Sequence, residues 1–158
     1  KTTLSKEISR LLKIPRISFD ETWNEVEQEQ GVIPGSNEIE KWQHINDVCE
    51  RKARNFLSRG VSVVYDDLGA RFEQRERLRK LASEESALAK VIYINVDKNE
   101  VIKRRNANFH LKMRHQVSDQ NFNKALETFE PPRKIEDALV YEQPQETAKW
   151  IEENLISQ

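Results

Sequence analysis

Glycine, cysteine and long apolar runs are scarce in this chain, and each shortage excludes something. Of 158 residues four are glycine, Gly31, Gly35, Gly60 and Gly69. None of them falls in the spacing of a phosphate-binding loop, which argues against such a loop relocated by circular permutation. The single Cys49 excludes an internal disulfide and fits a reducing cytosol. It lies inside a helical apolar pattern, where a core position is expected rather than a nucleophile. No apolar run approaches the ~20 residues of a membrane helix, and no signal peptide is expected. An excess of one charge is also lacking. With a net charge of −1, no global attraction to nucleic acid or membrane is expected, so any basic site must be local.

What is present reads as one domain, residues 1–158, with a single core and a cytoplasmic location. Apolar residues make up 37% and charged residues 34%. Leu4, Ile8, Leu11 and Leu12 predict an amphipathic helix over 3–12. Pro15 breaks the chain, and Arg16 to Phe19 reads as a short strand ending at Asp20. Residues 21–38 lack clear periodicity and predict a short helix and then a loop. Trp42, Ile45, Cys49, Ala53 and Phe56 predict a long helix over 39–58, stopping at Gly60. Val61 to Tyr65 is the clearest strand, β-branched and followed by Asp66-Asp67. A charged helix over 70–85 follows, with Phe72, Leu78 and Leu81 inward. Then come a buried strand over 90–96, a basic helix over 98–115 and a helix over 118–127. A last strand over 138–142 and a helix over 145–156 close the chain. Strands alternating with helices imply crossovers, hence an α/β fold with a parallel sheet flanked by helices in three layers.

In such sheets ligands bind at the carboxyl ends of strands, so strand-end acids are the informative ones. Asp20 and the Asp66-Asp67 pair are expected toward the edge where helix 3–12 begins, and that helix start offers a positive dipole end to phosphate. Lys1-Thr2 followed at once by a helix reads as the second half of the loop G-x-x-x-x-G-K-[ST], in which backbone N–H groups and the lysine cradle phosphates. Phosphoryl transfer needs a phosphate cradle, a metal-holding acid, a base and cations on the transferred group. Lys1 would reach the β- and γ-phosphates, Thr2 would offer its hydroxyl to Mg²⁺, and Thr3 would bond the α-phosphate. Asp66 would face the metal, with Asp67 as alternate, and Asp20 would take the proton of an acceptor hydroxyl or, more plainly, cap a helix. From Val101 to Ser118 there is no acid, while Lys103, Arg104, Arg105, Lys112 and Arg114 concentrate positive charge. A lid over about 104–118 that closes on ATP is one reading, and a solvated helix face or an RNA-binding surface are the others. His110 and His115 are read as incidental, and nothing supports a zinc site. Arg71 and Arg75 are placed on the acceptor side or on a plain helix surface. Trp23 and Trp42 are placed in the core or lining an acceptor pocket.

The order of these parts resembles the AAA-type "predicted kinase" family of P-loop proteins. The likeness is carried by Lys1-Thr2-Thr3-Leu4-Ser5-Lys6, Asp20, Val61 to Asp67, Arg75-Glu76-Arg77-Leu78, Val96 to Arg105 and Phe129-Glu130-Pro131-Pro132. That group is similar to polynucleotide kinases, zeta toxins, gluconate kinase and chloramphenicol phosphotransferase. The resemblance implies an ATP-binding phosphotransferase with a five-stranded parallel sheet in the nucleoside-kinase order. It implies Lys1 and Thr2 as loop residues, Asp66 near Mg²⁺ and Asp20 as base. Arg104, Arg105 and Arg114 would serve a lid and an adenine-facing helix, with Glu142-Gln143-Pro144 near adenine. The glycine half of the loop is absent, so the chain is expected to begin downstream of a strand and a glycine-rich turn.

The expected function is transfer of the γ-phosphate of ATP to a hydroxyl of a small molecule, nucleoside or nucleic-acid end, with Mg²⁺ and no membrane partner. The alternatives are an ATP-binding or ATPase regulatory module and an RNA-binding α/β protein. Acceptor and oligomeric state are not specified by these residues.

Overall fold

The structure is a computed structural model that describes residues 1–111, 118–142 and 146–156, with the side chains of 108–111 excepted. Lys112, Arg114, His115, Gln143 and Pro144 lie outside the described residues, as does the His110 side chain. The chain divides into two compact units: residues 1–68, 76–89 and 147–158, and residues 69–75 and 90–146.

The first unit begins with α1 (Thr2–Leu12), whose buried Leu4, Ser5 and Ile8 form its inner face. Pro15 lacks an N–H, and its carbonyl accepts from Val64 N at 2.8 Å. Strand β1 (Arg16–Ser18) then pairs in parallel with β2 (Val64–Asp66), Arg16 opposite Val64 and Ser18 opposite Asp66. The strand expected over 61–65 is therefore shorter and lies later, with Asp66 as its last residue rather than just beyond it. Extending the ladder backwards would require an amide hydrogen that Pro15 does not have.

Helix α2 (Phe19–Gln30) starts where a strand residue was expected, because Ser18 caps it by accepting from Glu21 N. Asp20 thus sits in the first turn of a helix, neither at a strand end nor at the cap. Gly31 closes α2 in the left-handed conformation, φ 73°, its N–H bonded to the Glu27 carbonyl. Helix α3 (Glu38–Leu57) is capped by Asn37. Gly35 is required just before it, since a Cβ there would lie 2.6 Å from Lys41 N. Ile17, Phe19, Val26, Ile33, Ile45, Cys49, Ala53 and Leu81 form the core of this unit. Leu81 comes from α4 (Phe72–Glu84), and α7 (Thr147–Ile151) packs against α1. The closing helix is shorter than expected, a single π turn over Glu152–Ile156 taking its second half.

In the second unit β3 (Ile92–Asn95) pairs in parallel with β4 (Leu139–Glu142). Ile92 to Ile94 are half-buried rather than buried, because β3 has a neighbour on one side only among the described residues. Helices α5 (Lys98–Leu111) and α6 (Asp119–Glu127) complete it. The four strands read from the residues are present, as two parallel pairs flanked by helices, and the five-stranded sheet that the resemblance implied is not among the described residues.

One correction concerns Arg75, expected on the acceptor side or on a plain helix surface but buried. Its guanidinium forks onto the Glu136 carboxylate at 2.6 and 2.9 Å and also donates to the Gly69 and Glu130 carbonyls. Both side chains are less than a tenth exposed. Removing one member of such a pair leaves a buried charge uncompensated, whereas apolar replacement of both does not. Arg75→Ala is expected to lower stability by roughly 3–5 kcal/mol, and the Arg75→Met, Glu136→Leu double variant by less, read from urea midpoints.

Candidate active site

The start of α1 is positioned by the same residues that join β1 to β2. No side chain caps α1, and its first turn holds no acid. Its N–H groups therefore keep the partial positive charge that attracts anions. Leu4 and Ile8 fix the helix by burying its apolar stripe, and Ser5, on the same buried side, becomes a polar contact rather than a core filler.

That contact is Asp66. Its side chain is 1% exposed. Oδ2 accepts from Ser5 Oγ at 2.6 Å, Arg16 Nη2 at 2.6 Å and Arg16 Nε at 3.1 Å. Oδ1 lies 3.3 Å from Lys1 Nζ. The Lys1 ammonium is shared with Asp20, whose Oδ2 is 3.4 Å away. Arg16 passes its other nitrogen, Nη1, to Glu21 at 2.7 Å, and Lys6 approaches Glu21 as well. The arrangement is a chain of alternating charges: Asp20, Lys1, Asp66, Arg16, Glu21.

Burial alone would push the Asp66 carboxyl up. The Ser5 hydrogen bond and the Lys1 and Arg16 charges outweigh it and hold its pKa below the ordinary value. Burial likewise works against the Lys1 ammonium, but Asp66 and Asp20 hold its pKa above the ordinary value. Both partners are therefore charged at neutral pH. The Glu21 carboxyl is held low, chiefly by its hydrogen bond from Arg16.

The structure brings Lys1, Asp20 and Asp66 together, beside Thr2 and Thr3 in the first turn of α1. Asp67 follows β2 by one residue and is half-buried. Arg104 and Arg105 belong to α5 in the second unit, where Arg104 Nε bonds Glu100 at 2.7 Å. Arg105 bonds Asp119 and lies 4.5 Å over the Phe122 ring. Arg114 lies outside the described residues. Arg71 is exposed, and Trp23 and Trp42 join Phe19 in one aromatic cluster.

Ser5, Arg16 and Glu21 were given no role in the site from the sequence. Ser5 carried a signal, as a polar residue on the apolar side of α1. Arg16 carried a weaker one: as the first residue of β1 it points opposite Ile17.

The donor set can be compared with the Mg²⁺ that this fold implies. Mg²⁺ takes hard oxygen ligands, often one or two carboxylates plus substrate phosphates. Among the described residues no group of three or more His, Cys, Asp or Glu could hold a metal without such help. Asp66, Asp20 and the Thr2 hydroxyl are hard oxygen donors, and an ammonium held between two carboxylates marks a place that favours positive charge. The residues fit.

The AAA domain family matches residues 1–132, and the chain belongs to that family. Among curated proteins none matches. Among solved structures, the chain is similar to a candidate kinase from Chloroflexus aurantiacus J-10-fl, with a TM-score of 0.71 and 16% identity over 98% of this chain and 91% of that one. It is also similar to a gluconokinase from Sinorhizobium meliloti 1021, with a TM-score of 0.61 and 17% identity over 96% and 81% of the two chains. A sugar kinase from Janibacter sp. HTCC2649, solved unliganded, gives 0.61 and 19% over 96% and 83%. The shared fold is the parallel α/β fold of P-loop kinases. No helix among the described residues is long and apolar enough to cross a membrane.

The depressed Asp66 pKa has a signed consequence. The unfolded carboxyl titrates near about 3.9, above its folded value, so its contribution to stability is present above that pH and lost as pH falls through the folded value. Urea midpoints of the wild type and Asp66→Asn should differ widely at neutral pH and converge below pH ~4. A constant gap would show that Asp66 does not carry the charge described.

Proposed function

We propose that this chain is the ATP-binding and phosphoryl-transferring part of a kinase whose acceptor is a hydroxyl-bearing small molecule. The observation that carries the reading is the Lys1 ammonium at the start of an acid-free helix turn, shared between Asp20 and Asp66. A helix start with free N–H groups and an adjacent lysine is suited to a polyphosphate. The family membership and the similarity to three kinase structures support the same class, and two of those proteins are a gluconokinase and a sugar kinase.

In this reading the phosphates of ATP compete with the two carboxylates for Lys1, which turns to the β- and γ-phosphates. Thr3 bonds the α-phosphate. Thr2 and Asp66 hold Mg²⁺, which when bound neutralises charge on the phosphate oxygens. Asp66 is kept ionised and fixed for this by Ser5 and Arg16. Asp20, whose side chain is 71% exposed, is open to an acceptor: it orients the attacking hydroxyl and takes its proton. In the same proposal the segment of about 104–118, with Arg105 and Arg114, would serve as the lid of a single kinase domain spanning 1–158, and Arg104 would serve nucleotide binding. A lid that excludes water would limit hydrolysis of ATP.

In the intact protein, ADP release should depend on both ATP and acceptor. Asp20→Asn is expected to bind ATP normally and slow transfer by about a hundredfold or more, measured by coupled ADP release and by nucleotide titration. Full activity in that variant would remove Asp20 from the chemistry. Lys1→Ala should weaken ATP binding itself, and retained binding would remove the phosphate cradle.

A further inference from the structure

The surface that continues from Asp20 is aromatic and acidic, and on the kinase reading above it is the surface that meets the acceptor. Trp23, Asn24 and Glu27 follow Asp20 in α2 at i+3, i+4 and i+7, the spacing of one helix face. The Trp23 ring meets Trp42 of α3 nearly edge-on at 6.3 Å. Trp42 in turn lies 4.9 Å from Phe19, the residue before Asp20. The rings of Phe19, Trp23 and Trp42 therefore form one cluster, two of them from the same stretch of α2 as Asp20. Phe19 is buried, but Trp42 keeps 44% of its surface open and Ile39, one turn earlier in α3, keeps 70%. Backed by two other rings, Trp42 is an apolar platform beside the group assigned to the acceptor.

Acids outnumber the bases that answer them around this platform. From Ile17 to Glu40 there is no lysine or arginine, while Asp20, Glu21, Glu25, Glu27, Glu29, Glu38 and Glu40 all fall in that span. Arg16 and Lys6 answer Glu21, Lys52 answers Glu25 and Lys41 answers Glu38. Glu27 and Glu29 are exposed and make no ion pair among the described residues. Glu40 is held as a carboxylate by the Ser36 hydroxyl and amide. The helix starts do not offset this, because α2 and α3 each carry two acids in their first turn, which balance the dipole. An anionic acceptor meets Lys1 beside Asp20 but otherwise an excess of carboxylates. A ring with an apolar face, hydroxyls and a cation gains from each part: the face from the tryptophans, the cation from the aromatic faces and from Glu27.

We infer that the acceptor is a polyhydroxylated ring bearing an ammonium group, an amino sugar or aminocyclitol. It rests on Trp23 and Trp42 with its cation toward Glu27 and a hydroxyl at Asp20. In the transfer the acceptor oxygen bonds the γ-phosphorus while the bond from that phosphorus to the β–γ bridging oxygen breaks. ADP leaves with the electron pair, and the hydroxyl proton passes to Asp20.

D-glucosamine and D-glucose are pyranose rings, cationic and neutral, and D-gluconate is the open-chain anion of the same six carbons; the three serve as probes. Calorimetric titration of the intact protein with ATP present, at mildly acid pH, should rank them in that order, glucosamine binding at least about tenfold more tightly than gluconate. The ratio should shrink severalfold in ~0.5 M salt and in the Glu27→Gln, Glu29→Gln variant, and Trp42→Leu should weaken glucosamine binding. Gluconate binding as tightly as glucosamine, a ratio indifferent to the two glutamates, or no binding by any probe overturns the inference. If ADP release is nevertheless stimulated by glucose or gluconate, the kinase reading stands without it. Failure of ATP to bind overturns both.

Discussion

The buried carboxylate of Asp66 is the constraint on which the first unit depends. A charge with 1% of its side chain exposed is tolerated only where donors replace the water it loses. Ser5 supplies one from α1, Arg16 supplies two from β1, and Lys1 adds its charge from the helix start. Three elements from separate parts of the chain are thus referred to one atom pair. What makes the carboxylate affordable also fixes where α1 begins relative to the β1–β2 edge, and so where a phosphate would sit.

Charge is then distributed by helix start. Helices α2 and α3 open on acids, whereas α1 opens on lysine and threonine. The result is a short distance from an anion-favouring helix end to an acid-lined aromatic surface, with Asp20 and Lys1 at the boundary. On the proposed reading, nucleotide and acceptor would be distinguished by field as well as by shape.

Much of this was legible in the residues. The apolar spacings of Leu4 and Ile8, and of Ile45, Cys49 and Ala53, located α1 and α3 to within a residue or two, because helix periodicity survives whatever packs against it. Lys1, Asp20 and Asp66 were picked out by type and position, and the geometry brings them within ion-pair reach of one ammonium. Strand limits were not legible. Val61 and Val63 are as β-prone as Val64 and Tyr65, but pairing depends on the partner, and Pro15 ends it. Nor was the exchange of strand for helix at Phe19, which turns on one Ser18 hydroxyl reaching the Glu21 amide. Arg75 read as one more charge on a charged helix. Its burial is set by Glu136, sixty-one residues away, and no local pattern reports a partner at that distance.

The pairing of Arg16 with Asp66 also bears on how the strands find each other. Side chains of a strand alternate between faces, so a slip of one residue between β1 and β2 would carry Asp66 to the opposite face. Its carboxylate would then lose Ser5 and Arg16 while still shielded from water, and Arg16 would be left equally stranded. A ladder of three residues a side has little hydrogen-bond energy with which to choose its own alignment. The ion pair adds to the choice by penalising a slip of one residue, so the contact between Arg16 and Asp66 also favours the observed strand register.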